Sequence, residues 1–157
     1  MSFQLAHLEG GGMPRTLEKA VAAAQAFEGG ALLLMDANGQ WAECGADPAA
    51  IAAVAITGYG PDTTGFVRTG KKEFPPGYMQ GISVANEKLF SAEYVGALPA
   101  ADGGVFGVVR DTDGRWKVDF AETTATRVKL VNRSWTQAPL NKNRVVVAFL
   151  QANVQVV

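Results

Sequence analysis

The chain has 157 residues, enough for one domain, and its 14 Lys and Arg residues nearly cancel its 15 Asp and Glu residues. A near-neutral balance argues against a dedicated nucleic-acid binder, which carries a basic excess on one face. One histidine, His7, and one cysteine, Cys44, exclude an intrachain disulfide and a thiolate metal cluster, and nearly exclude a catalytic triad. The charged fraction of 18 % is below the roughly 25 % usual for a soluble domain, which favours a chain that also contacts a partner surface.

The first 27 residues predict an arm followed by a helix. Residues 1–14 contain three consecutive glycines and a proline, so we expect a flexible N-terminal arm that only a neighbouring molecule could order. Residues 15–27 favour a helix by propensity, and their apolar side chains recur on one helical face. Neither a signal peptide nor an apolar run long enough to span a bilayer is visible, so we expect folding in a cytoplasm without a membrane partner.

From Gly30 onward the pattern changes to β. Residues 31–35 and 40–44 predict a hairpin around residues 36–39, where Asp opens the turn and Gly takes the position with positive φ. Asp47 and Pro48 fit the start of a single helical turn, and residues 52–57 predict the next strand. Residues 58–78 are rich in Gly, Pro and Thr and predict a long loop or excursion with one short strand at 65–69.

The rest of the chain predicts more hairpins. Residues 79–85 and 89–95 form one around 86–88, and residues 105–110 and 115–120 form another around 111–114. Further strands are predicted at 126–132, 144–150 and 153–157. Residues 34–41 match residues 109–116, since each has an apolar strand, an Asp-x-(Asn/Asp)-Gly turn and a tryptophan. A duplicated hairpin would explain the match, but we favour convergent turn chemistry.

These elements predict a mainly β fold, a barrel or sandwich of short hairpins with at most one or two short helices. We expect residues 1–14 to be the arm and residues 15–157 to form a single β domain, with the excursion at 58–78.

Two acidic turns resemble the beginning of a calcium-binding loop. Asp36 with Asn38, and Asp111 with Asp113, have the required spacing, but the sequence after each pair lacks the later ligands of such a loop. We therefore interpret both as hairpin turns and predict no metal site.

Acid–base catalysis would need two facing carboxylates. Asp119 with Glu122, and Glu87 with Glu93, are candidate pairs, but no spacing distinguishes either from chance. Cys44 is expected to be a small apolar residue, and the acidic residues beside it are expected to raise its pKa. We assign no catalytic, cofactor-binding or metal-binding residue.

Two other groups of side chains have possible binding roles. Arg68, Lys71 and Lys72 form a small basic cluster, which we interpret as a solvated loop, although contact with an acidic protein or a phosphate backbone is an alternative. Trp41, Trp116 and Trp135 would form a carbohydrate-binding platform if exposed, but we favour buried packing because two of them follow tight turns.

Residues 27–57, FEGGALLLMDANGQWAECGADPAAIAAVAIT, resemble virion proteins of tailed bacteriophages. In such proteins a strand, an Asp-x-Asn-Gly turn, a second strand and a Gly-Ala-Asp-Pro-x-x-Ile segment lead into a further strand. The pattern is similar to that of the small capsid decoration, or cement, proteins, and the resemblance extends over about residues 27–150.

The resemblance implies a β-barrel or β-tulip-like body, no catalysis, no cofactor, and trimers or other clusters on a capsid shell. We therefore expect a viral structural protein that binds the major capsid protein on the outside of the shell, self-associates as a homotrimer and has no specific nucleic-acid partner. It would assemble in the host cytoplasm and reside in the virion. The alternatives are a tail, connector or fibre-base component, a carbohydrate-binding module, or a small hydrolase using carboxylates.

Overall fold

The structure, a computed structural model, describes residues 3–7, 15–60, 68–69, 72–73, 77–85, 88–133 and 143–155. These residues form thirteen strands and one 3-10 helix. The elements are β1 (Phe3–His7), β2 (Thr16–Ala20), β3 (Leu32–Met35), β4 (Trp41–Glu43), β5 (Ala53–Ala55), β6 (Arg68–Thr69), β7 (Lys72–Glu73), β8 (Tyr78–Ser83), β9 (Leu89–Val95), β10 (Val105–Arg110), β11 (Trp116–Asp119), β12 (Val128–Asn132), β13 (Arg144–Phe149) and the helix Gln151–Asn153.

Strands β9 to β13 close into a barrel, which we call the second barrel. Their order is β9-β11-β10-β12-β13, and β13 pairs back onto β9. Every contact is antiparallel except that of β9 with β11, which is parallel. A closed barrel leaves few unpaired backbone groups along its sheet edges.

Strands β2, β3, β4, β5 and β8 form the first barrel. Their order is β2-β8-β5-β3-β4, and a parallel bridge between Val21 and Trp41 brings the two edge strands together. The amide of Ala22 donates to the carbonyl of Trp41 at 2.8 Å, and the Gln25 side chain accepts from the amide of Glu43 at 2.8 Å. The segment after β2 therefore covers the outer edge of β4. The short pair β6–β7 lies in the connection between β5 and β8.

The two barrels have the same strand order. We count the strands of each barrel from one to five in chain order. In both barrels the order around the ring is then 1-5-4-2-3, and strand 3 contacts strand 1 in parallel. The matched hairpins also share their register, because Met35 faces Trp41 as Arg110 faces Trp116. The similarity thus extends from one turn to a whole five-stranded unit. The shared strand order favours duplication of the unit over convergent turn chemistry, the interpretation favoured from the sequence.

The barrels pack through one continuous core and a C-terminal clasp. Buried side chains of both barrels form a single hydrophobic cluster that includes Trp41 and Trp116, each fully buried. After β13 the chain returns to the first barrel, where Val154 forms a parallel bridge with Ile51. The side-chain amide of Gln155 accepts from the backbone amide of Met35 and donates to its carbonyl. We call residues 151–155 the clasp.

The predicted mainly β fold with a barrel body is confirmed. Several local predictions are wrong. Residues 15–27 contain β2 rather than a helix, because five-residue pairing with β8 outweighs a weak helical propensity. The turn at Asp47 is not helical, since this residue has a φ of +51° and its carboxylate binds Arg127.

Strands β8 and β9 do not form the predicted hairpin, because they belong to different barrels. The last strand predicted, 153–157, is replaced in its described part by the 3-10 helix and the bridge at Val154. The flexible arm predicted over residues 1–14 is wrong for residues 3–7, which pair with β9 as β1; residues 8–14 lie outside the described residues.

Candidate functional site

The acidic turns are closed by hydrogen bonds within the chain. Asp36 Oδ1 accepts from the amides of Asn38 and Gln40 at 2.9 and 2.8 Å. Asp111 and Asp113 both accept from Lys117 Nζ, at 2.6 and 2.7 Å, and these bonds lower the pKa of both carboxyls. The lysine ammonium thus lies where a calcium ion would be needed. No cluster of metal-ligating side chains occurs in the described part of the chain.

The candidate acid pair Asp119 and Glu122 stabilises the turn between β11 and β12. Asp119 accepts from the amide of Ala121 at 2.9 Å. Glu122 accepts from the hydroxyl and amide of Thr124 and from the amide of Ala125, and these bonds lower the pKa of Glu122 to about 2. A carboxyl with so low a pKa holds no proton near neutral pH, so it is a poor general acid.

The second candidate acid pair is only partly described, because Glu87 lies outside the described residues. Glu93 faces two arginines, Arg115 Nη1 at 3.5 Å and Arg144 Nη1 at 3.6 Å. Arg144 is buried and also donates to the hydroxyl and carbonyl of Ser91 at 2.9 Å. These contacts anchor β13 to β9, which makes Glu93 part of the structure of the second barrel.

A cleft of about 500 Å³ between the barrels is lined by Cys44, Asp47, Arg110, Asp119 and Glu122 among others. Cys44 is buried, and burial, together with the charge of Glu43, raises the pKa of its thiol to about 12. The thiol is therefore protonated at neutral pH. The sequence predicted the direction of the shift from the acidic neighbours, whereas burial is its main cause.

Glu43 and Arg127 join the two barrels with polar contacts. Glu43 Oε1 accepts from Trp116 Nε1 at 2.9 Å and lies 3.1 Å from Arg110 Nε. Arg127 binds Asp47 at 2.9 Å and the carbonyl of Pro48. The polar side chains at the barrel junction are thus used to hold the barrels together.

Trp41 and Trp116 are both fully buried, so neither contributes to an exposed carbohydrate platform. This agrees with the buried packing favoured from the sequence for these two residues. Trp135 lies outside the described residues, as do Lys71 and the side chains of His7, Arg68 and Lys72.

A row of apolar side chains, interrupted by Lys129, lies on the outward-facing side of the second barrel. Val105 faces Lys129, Lys129 faces Ala148, and Ala148 faces Leu89, which places the four side chains in one row across β10, β12, β13 and β9. Val131 lies at an irregularity in the pairing of β12 with β13, and it lines the same groove as Lys129.

We call Leu89, Val105, Lys129, Val131 and Ala148 the outer face. Val105 and Val131 are 40 % and 38 % exposed. A groove of about 600 Å³ is lined by the other members of the face, Leu89, Lys129, Val131 and Ala148, together with residues that include Asp102 and Gln151. Strand alternation alone could have revealed these apolar residues, but not that four strands align them. The outer face is the candidate functional site.

Comparison of the chain with family models, curated proteins and solved structures found no match. Within the described residues, no helix has the length and apolar character needed to cross a membrane.

Proposed function

We propose that the chain is a structural protein of a tailed-phage virion that binds the outside of the capsid shell through its outer face and stabilises the shell. The observation that carries the proposal is the outer face, where apolar side chains surround Lys129 on a closed barrel. Exposed apolar side chains grouped on one face typically mark a protein contact, and burying them contributes about 25 cal/mol per Å².

A closed barrel is a favourable carrier for such a contact. Paired strands are already ordered, so docking costs less conformational entropy than docking of a loop would. The net charge of −1 gives the chain little attraction for the packaged nucleic acid. Lys129, in the centre of the outer face, favours an acidic group opposite it on the partner.

The proposed role requires no catalysis. The turn carboxylates of Asp36, Asp111, Asp113 and Glu122 accept hydrogen bonds from neighbouring groups, and the Cys44 thiol is buried. These contacts favour a building role over a hydrolase. In this proposal the partners are the major capsid protein and further copies of the chain, as a homotrimer, with no cofactor.

The outer face can be tested with Val105→Asp and Val131→Asp. Each substitution puts a charge into the proposed contact. The assay is cosedimentation with purified phage shells that were assembled without the chain, and we expect at least tenfold weaker binding. Ala37→Asp, on an exposed turn of the first barrel, is the matched control and is expected to bind normally. Normal binding by both valine variants would reject the outer face as the contact.

Imaging separates the proposal from its alternatives. An antibody against the purified chain should label intact virions over the whole shell. Labelling confined to a vertex or the tail would instead indicate a tail, connector or fibre-base component, and unlabelled virions would reject a virion role.

A further inference from the structure

β1 is an added strand on a barrel that is complete without it. The ring of β9 to β13 closes through the β13–β9 and β9–β11 contacts, and β1 takes no part in this closure. Among the described strands it pairs only with β9, where Phe3 faces Ala92, Gln4 faces Ser91 and Leu5 faces Phe90.

The site that β1 fills is an open edge of β9. One edge of β9 pairs with β13 along residues 89–93, and the other reaches β11 only at Tyr94 and Val95. β1 pairs with the remaining part of that second edge. Without β1, this stretch would present unpaired amides and carbonyls, which are a ready template for another strand. We call this edge and the pocket beneath it the β9 slot.

The slot also binds a specific side chain. Phe3 is 1 % exposed, and its ring centroid lies 5.5 Å from that of Phe149, which in turn packs edge-on against Phe90. The amide of Phe3 donates to the carbonyl of Gly30 at 3.4 Å. The slot thus selects an extended segment with an aromatic residue at one position, and residues 3–7 supply such a segment.

We propose that the β9 slot is a strand-exchange site, filled in assembled copies by residues 3–7 of a neighbouring copy. Exchange preserves every contact between β1 and the slot, so only the connection changes, which makes exchange an inexpensive route to association. The connecting residues 8–14 include three consecutive glycines, and a segment of this length can span about 25 Å.

The proposal deepens the self-association in the proposed function and does not depend on shell binding. High local concentration, as on a surface, favours exchange over closure within one chain. A chain that exchanges strands but does not bind shells would keep this inference and reject the proposed function. A chain that binds shells as a closed monomer would reject this inference and keep the proposed binding to the shell.

A disulfide trap tests the exchange. His7 and Leu89 are register partners, so His7→Cys and Leu89→Cys are combined in one chain on a Cys44→Ala background. After mild oxidation we expect covalent dimers and larger multimers on a denaturing gel. His7→Cys combined with Ala37→Cys, which lies on the first barrel, is the control and should give few. Oxidation that yields only intrachain disulfides would overturn the proposal.

A peptide experiment covers the case in which the double variant does not fold. The chain lacking residues 1–7 is mixed with a labelled peptide of residues 1–12, and binding is measured by fluorescence anisotropy. We expect saturable binding, weakened at least tenfold in a peptide carrying Phe3→Ala. Failure of the wild-type peptide to bind the folded, truncated chain would show that the slot does not accept a strand from another molecule.

Discussion

At the scale of single residues, the two buried tryptophans differ in one hydrogen bond. Trp116 Nε1 donates to Glu43 across the barrel junction, whereas Trp41 Nε1 is buried with no partner among the described residues. The shared strand order allows the two positions to be compared. In the second barrel the position that corresponds to Glu43 is Val118, whose side chain has no hydrogen-bond acceptor. A buried donor without a partner costs about 1–3 kcal/mol.

Replacing each tryptophan by phenylalanine should reveal this difference. Trp116→Phe removes a bonded donor, whereas Trp41→Phe removes an unpaired one, and both lose a similar volume from the core. We expect Trp116→Phe to lower the free energy of unfolding by about 1–3 kcal/mol more than Trp41→Phe does. Urea denaturation measures both values. Equal losses would mean that the bond to Glu43 contributes little.

The turn carboxylate of Glu122 predicts a dependence of stability on pH. Its pKa is lowered from 4.5 to about 2 by hydrogen bonds, so its contribution is present above pH 4.5 and is lost as the pH falls toward 2. Glu122→Gln should therefore lower the Tm at neutral pH, and the difference from the parent should shrink in acid. Glu28→Gln, at a largely exposed carboxylate, is the control. A Tm difference independent of pH would contradict the prediction.

At the scale of elements, local turn chemistry predicts hairpins well and pairing between distant strands poorly. The turn at residues 36–39 forms as predicted because its hydrogen bonds lie within the turn and Gly39 has a φ of +73°. The turn at 111–114 forms for the same reasons. Residues 79–85 and 89–95 both predict strands, yet β8 and β9 do not pair because each has other partners in its own sheet. No local signal reports this.

Close packing between β8 and β5 makes Gly81 sensitive to substitution. A Cβ added there would lie 2.8 Å from the Cβ of Ala53 and 3.5 Å from the Trp41 ring. We expect Gly81→Ala to lower the free energy of unfolding by about 1–3 kcal/mol, because the first barrel has no room to relax. Gly45→Ala is the control, since its added Cβ meets nothing within 4 Å. Equal stability of the two variants would show that β8 shifts easily.

At the scale of the whole molecule, the clasp connects the second barrel to the first. The side-chain amide of Gln155 accepts from the amide of Met35 at 2.8 Å and donates to its carbonyl at 3.0 Å. The amide of Ile51 donates to the carbonyl of Asn153, and that of Gln155 to the carbonyl of Ile51. This backbone pairing lies at the end of the described chain, where the sequence predicted only a possible strand.

Removal of the Gln155 amide should weaken the coupling of the two barrels. Gln155→Ala loses two hydrogen bonds, so we expect the free energy of unfolding to fall by about 1–2 kcal/mol. We expect the full chain, with its one continuous core, to unfold in a single calorimetric transition, and deletion of residues 151–157 to split that transition into two. Gln40→Ala is the control, because its side-chain amide has no hydrogen bond to another described residue. A single transition in the truncated chain would show that the core alone couples the barrels.

The sequence supports the fold class more fully than the candidate site. Alternation and turn residues predict most strands, and the match between residues 34–41 and 109–116 falls on hairpins that occupy the same place in the two barrels. The outer face depends on registers across four strands, as in the alignment of Val105 with Lys129. Turn chemistry sets the register within a hairpin, but β10 and β12 are not joined by one tight turn, so their pairing depends on tertiary packing.

The position of β1 has a consequence for folding during translation. All five strands of the first barrel are translated before β9, so that barrel can close while the second is still being made. β1 cannot pair at that stage, because its partner β9 begins at Leu89 and is synthesised roughly 4–16 seconds later at ordinary translation speeds. During that interval an apolar strand bearing Phe3 is without its slot. On a polysome, a completed neighbouring copy can bind this strand in its own β9 slot before the β9 of the growing chain has been synthesised.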